Sequence, residues 1–124
     1  MRVKAVGKVY VLNTMLVPVS FDRYSEVTIW MKRITVEEAK KVVGDAAEHG
    51  ILVSAVGHES TARLLSQLLG VEIKPSRASV WMEPGDVGVH FFLKSRLPEG
   101  KVLTLEELKG LEYWLVLSEV VEAR

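Results

Sequence analysis

Histidine is the side chain best suited to moving a proton near neutral pH, and the chain has three of them. One, His58, stands in the run Ser54-Ala55-Val56-Gly57-His58-Glu59-Ser60-Thr61. There an apolar strand pattern passes through Gly57 directly into a helical pattern. Glycine permits a tight turn and lets a ligand approach the backbone closely. The first turn of a helix offers N–H groups without partners and the positive end of the helix dipole, which together suit an anion. Ser60 and Thr61 add hydroxyl donors, so a phosphate placed here would meet donors and a proton source together. A plainer reading fits the same residues: Ser60 or Glu59 caps the helix, and His58 is an exposed terminal residue.

A second stretch of interest is Lys94-Ser95-Arg96-Leu97-Pro98-Glu99-Gly100-Lys101. It follows a strand pattern directly, where binding loops are commonly mounted. Arg96 can grip a phosphate through two parallel hydrogen bonds. Glu99 can accept from a ribose hydroxyl or orient Arg96. The same residues also compose an ordinary charged surface loop. Asn13, the single asparagine, follows the first strand pattern with Thr14. This pair can bond a base or ribose, or can close a turn on its own backbone. His49 at a helix end and His90 between Val89 and Phe91 read as structural. The histidines lack HxH or HExxH spacing, so no dedicated zinc site is expected. Trp30, Trp81 and Trp114 fall on strand patterns and read as packing residues. No GxxxxGK[ST] or GxGxxG is present, which argues against triphosphate and dinucleotide folds.

These residues need elements to hold them. Val9–Leu12 reads as a strand, and the alternation of Val27, Ile29 and Met31 with polar neighbours reads as a second. Thr35 with Glu38 forms a capping box that opens a helix ending at His49-Gly50. Residues 51–56 form an apolar strand, and 58–69 a second helix with Leu64, Leu65, Leu68 and Leu69 on one face. Residues 78–82 and 87–93 read as two strands joined by Glu83-Pro84-Gly85-Asp86, where Pro then Gly suits a type II turn. Thr104 with Glu107 caps a short helix, and 112–120 is a last strand. The expected order is β-β-α-β-α-β-β-α-β. It implies an α+β domain with a mixed sheet and helices packed on it. The polar stretch 17–25 is a lid candidate.

Composition bounds the rest. With 124 residues, 48% of them hydrophobic, the chain is expected to form one domain, 1–124, around a real core. Sixteen basic residues balance sixteen acidic ones. That argues against coating long duplex nucleic acid, though not against a small anion held by a few local cations. Cysteine is absent, which removes disulfides, thiolate metal sites and a cysteine nucleophile. No apolar run suits a bilayer span or a signal peptide, so a cytoplasmic protein without membrane partners is the expectation. Asn13 and Gln67 are the single residues of their types, a mild sign of a heat-adapted source.

Three motifs taken together carry a family likeness. Gly57-His58-Glu59-Ser60-Thr61, the turn Met82-Glu83-Pro84-Gly85-Asp86, and Arg96-Leu97-Pro98-Glu99-Gly100-Lys101 stand in one order and spacing. In this the sequence resembles the small viral anti-CRISPR ring nucleases of type III systems, with their cellular and prophage relatives. The likeness runs from Lys8 to about Gly110. It implies a homodimer with its ligand site at the dimer interface, working in the cytoplasm, that of the host if the source is viral. It also implies that the dimer binds cyclic tetra-adenylate, the messenger of type III CRISPR systems, and cuts it with neither metal nor cofactor. On this likeness His58 is the general acid, Arg96 and Glu99 complete the catalytic set, and Ser60 belongs to the binding motif. Asn13, Thr14, Gly57, Thr61, Lys94 and Lys101 are the further expected substrate contacts. One departure is Leu16, where some viral members carry a serine. A sequestering dimer that binds nucleotide or nucleic acid without turnover is the alternative, and a protein-binding dimer a third reading.

Overall fold

The first strand, β1 (Val9–Leu12), is apolar throughout and all four of its residues are buried. Such a segment needs a partner on each side and cover on each face. It pairs in parallel with β3 (Leu52–Ser54) on one side and with β4 (Val87–Leu93) on the other. β5 (Tyr113–Ala123) lies antiparallel to β4, and β2 (Val27–Ile34) antiparallel to β5 with a register shift between Thr28 and Ile29. The sheet order is therefore β2-β5-β4-β1-β3. The computed structural model describes residues 7–95 and 102–124. Within them the chain adds three helices, α1 (Val36–Glu48), α2 (Glu59–Leu69) and α3 (Leu105–Leu108). The fold is α+β with a mixed five-stranded sheet.

Two helix starts follow the sequence reading closely. Thr35 Oγ1 accepts from Glu38 N–H at 3.1 Å, and Glu38 Oε1 accepts from Thr35 N–H at 2.9 Å. Thr104 and Glu107 repeat the box at α3, with Thr104 Oγ1 accepting from Glu107 N–H at 3.1 Å. These reciprocal bonds satisfy backbone donors that a helix start otherwise leaves open. Helix α1 buries Ala39, Val43 and Ala46, and α2 buries Ala62, Leu64, Leu65, Leu68 and Leu69. Both stripes pack with Val9, Val11, Val87, Val89 and Phe91 on one face of the sheet. On the other face Tyr10, Leu12 and Val120 pack with Met82, and Val17, Val19 and Val80 close over them.

One expected strand is missing. Residues 78–82 form no strand, so the element order loses one β. The alternation there is real: Met82 is fully buried while Trp81 is half exposed. It reports one-sided burial across the sheet face rather than strand pairing, and Met82 N–H donates instead to the Pro18 carbonyl at 2.7 Å. The turn after it stands as expected. Asp86 N–H donates to the Glu83 carbonyl at 2.9 Å, and Gly85 takes φ +94 at the third position, which a type II turn requires. The lid expectation for residues 17–25 meets a different placement. Arg23 Nη1 lies 2.6 Å from Glu83 Oε2, and the Tyr24 hydroxyl donates to Glu83 Oε1. This fastens Arg23 and Tyr24 beside the turn that precedes β4, while Val17 and Val19 lie over the sheet face.

His90 sits at the centre of β4 and is fully buried. Its Nδ1 is 2.7 Å from the Thr14 carbonyl and its Nε2 is 2.7 Å from Ser118 Oγ. Burial pushes the imidazole below its ordinary pKa, partly opposed by the bond to the carbonyl. A folded-state value below the unfolded one means that the fold favours the neutral ring. That contribution to stability is present above about pH 6.5, the unfolded value, and is lost as pH falls through the folded value. Thermal unfolding from pH 7 to pH 5 should therefore show a steeper drop in melting temperature for the wild type than for His90→Asn. Parallel drops would remove His90 as the source.

Candidate functional site

β1, β3 and β4 run in one direction, so their carboxyl ends gather along one edge of the sheet. In parallel arrangements this is where ligands are commonly held. Asn13 follows β1 at this edge, and α2 begins shortly after β3. Here a cavity of about 270 Å³ is lined by Asn13, Ser60, Thr61, Leu64, Phe91, Phe92, Leu93 and Leu103. Its apolar wall comes from strand β4 and helix α2, and its polar side from Asn13 and the two hydroxyl residues. Among the described residues, neither the Ser60 nor the Thr61 hydroxyl has a hydrogen-bond partner.

The start of α2 differs from the other two. His58 occupies the cap position with extended backbone (φ −106, ψ 130), and its side chain makes no capping bond. The capping role considered for Ser60 or Glu59 is thereby absent. Ser60 lies within the first turn, and Glu59 pairs along the helix with Arg63, Arg63 Nη2 standing 3.4 Å from Glu59 Oε1. Among the described residues no side chain closes the N–H groups of this first turn. The His58 side chain is exposed and has no partner among the described residues.

Gly57 takes no positive φ, so the tight turn expected of it is not what requires glycine. A Cβ built there would lie 3.6 Å from Arg77 Cγ and 3.9 Å from the Ser76 carbonyl, both ordinary contacts. Arg77 is a residue that the sequence reading passed over. Its Nε donates to the Gly57 carbonyl at 3.2 Å, which brings an exposed guanidinium to the backbone beside His58. No motif marks Arg77, because the irregular crossover between α2 and β4 is what carries it back there.

The other expected contacts divide. Thr14 lies next to Asn13, but its hydroxyl accepts from Leu16 N–H at 3.3 Å. Lys94 lines a neighbouring cavity of about 450 Å³ with Arg33, Tyr113 and Trp114, rather than the one beside α2. Its ammonium is 3.1 Å from Glu112 Oε2 and 5.6 Å from the centre of the Trp114 ring. Arg96, Glu99 and Lys101 lie outside the described residues.

With this geometry in view, comparison with known proteins places the chain. A family model described as STIV B116-like matches residues 9–115. The chain belongs to the STIV B116-like family. "Uncharacterized protein 26" of Sulfolobus islandicus filamentous virus is 40% identical over 113 residues, covering 90% of this chain and 91% of that protein. "Uncharacterized protein YddF" of Bacillus subtilis is 32% identical over 88 residues, covering 69% and 78%. Among solved structures, B116 of Sulfolobus turreted icosahedral virus matches with a TM-score of 0.76 and 28% identity, covering 91% of this chain and 99% of that one. Similar proteins thus occur in a Sulfolobus virus and in Bacillus subtilis. Among the described residues, no helix is long and apolar enough to cross a membrane.

Gly57→Ala separates fold from site. With room for the methyl and no positive φ, the substitution should leave the melting temperature unchanged or raise it, by the equivalent of about 0.4–1 kcal/mol. A lower melting temperature would show that the backbone itself needs glycine at this position.

Proposed function

We propose that this member of the family is a ring nuclease that cleaves cyclic tetra-adenylate as a homodimer. The observation that carries the reading is the convergence of Asn13, Ser60 and Thr61 on one cavity beside the start of α2, where the His58 side chain makes no capping bond. The joint motifs around Gly57-His58 and Arg96-Leu97 support it through their likeness to the ring nucleases.

The chemistry suits an RNA ring. The ribose 2′-hydroxyl is a nucleophile built into the substrate. Holding its oxygen in line with phosphorus and the departing 5′-oxygen supplies much of the acceleration. As the 2′-oxygen bonds to phosphorus it gives up its proton to solvent water, the P–O5′ bond breaks, and His58, protonated, gives its proton to the leaving oxygen. The open N–H groups of α2, with Arg96, stabilise the charge gathering on the phosphoryl oxygens. Glu99 orients Arg96 or a ribose. The product ends in a 2′,3′-cyclic phosphate. Twofold symmetry in the dimer matches the twofold contained in a four-nucleotide ring, so one His58 faces each of two opposite phosphodiesters and two di-adenylates leave. Cleavage shuts off a type III CRISPR response by removing its messenger.

The test is incubation with cyclic tetra-adenylate in excess EDTA, followed by mass analysis. Di-adenylate with a terminal phosphate or cyclic phosphate is expected. His58→Ala should lower the single-turnover rate by about 10²–10⁴, while the dissociation constant stays within a few-fold. An intact ring with tight binding would turn the reading into sequestration, and an intact ring without binding would end it.

A further inference from the structure

The His90 imidazole is joined on both sides by fixed partners. The Thr14 carbonyl accepts hydrogen bonds and cannot donate, so Nδ1 at 2.7 Å carries the proton. With the ring neutral, Nε2 at 2.7 Å then accepts from the Ser118 hydroxyl. The connection runs from β5 through β4 to the loop after β1, and its last link is the residue next to Asn13. The loop's own bond, from Leu16 N–H to Thr14 Oγ1, spans two residues and does not tie the loop to the sheet.

A second observation shows that the strand makes room for this connection. Gly88 lies two residues before His90 on the same face of β4 and pairs with Ser118. A Cβ at position 88 would stand 2.5 Å from Ser118 Oγ and 2.8 Å from His90 Nε2. Glycine inside a strand usually weakens it and marks a close approach, and here what approaches is the histidine–serine pair.

We propose that His90 is the positioning residue of the cavity. It holds the Thr14 carbonyl, and so sets Asn13 against the ligand, while Ser118 holds the other ring nitrogen in place. His90 is buried away from the ligand and acts only through the loop. The inference rests on the reading of the cavity as the binding site for cyclic tetra-adenylate.

Three measurements test it. Nitrogen-15 spectra of the wild-type ring should show a neutral imidazole with its proton on Nδ1; a proton on Nε2 alone would overturn the proposal. His90→Leu removes the donor, and amide exchange at residues 13–16 should accelerate. Its dissociation constant and KM for cyclic tetra-adenylate should rise roughly five- to tenfold, the worth of about one hydrogen bond, with kcat changed less. His90→Asn restores a donor near the Nδ1 position and should recover most of both effects. Ser118→Ala, a smaller change, serves if His90→Leu does not fold, and should move exchange and KM in the same direction to a lesser extent. Unchanged exchange at 13–16 in a folded His90→Leu or Ser118→Ala variant overturns the proposal. So does a KM effect that asparagine fails to rescue. If the wild type neither binds nor cuts the ring, the proposed function falls instead, and the tautomer and exchange results alone judge the role of His90.

Discussion

β1 has no free edge. It is paired in parallel on both sides, and one face lies under the helices while the other lies under Met82 and the valines of residues 17–19. A four-residue strand with all its residues buried cannot slip by one position without exchanging its two faces. Its register is therefore fixed, and with it the point at which Asn13 leaves the sheet. The same constraint aligns the ends of β3 and β4 with that point. The cavity follows from this alignment, since its walls are the end of β4, the beginning of α2 and the residue after β1.

Helix energetics sort the molecule into finished and unfinished parts. The starts of α1 and α3 are closed by their own side chains. Helix α2 is held instead by its buried face of Ala62, Leu64, Leu65, Leu68 and Leu69, so its stability does not depend on a cap. Burial of several leucines outweighs the roughly 1 kcal/mol that an N-cap contributes. This leaves the first turn of α2 open at small cost to the fold, at the place where two hydroxyls and an imidazole stand without partners among the described residues.

Much of this was legible in the residues, for physical reasons. Capping boxes are local, so Thr35-Glu38 and Thr104-Glu107 declare themselves. The Pro-Gly turn is local too, and the leucines of α2 mark their face by spacing. Ser60 and Thr61 were legible because a strand–glycine–helix passage is a local pattern. Residues 78–82 misled because alternation reveals which side is buried and not whether a neighbouring strand exists. Arg77 and the His90–Ser118 connection were illegible, since tertiary folding alone brings Arg77 to Gly57 and Ser118 to His90. Lys94 looked like part of the same loop as Arg96, but Glu112 and Trp114 draw it into the neighbouring cavity.

The pairing of β1 with β4 also governs the order in which the molecule can be made. Val9 meets Val87 and Leu12 meets His90, so most of the chain must exist before the first strand finds its second partner. Contacts of such long separation close slowly, because the entropy of the intervening loop is lost before they form. On a ribosome the segment that carries Asn13 emerges first, yet it gains its second partner only once β4 has arrived. The cavity is then a late product of folding, and a chain stopped short of β4 would present β1 and α2 without the site between them.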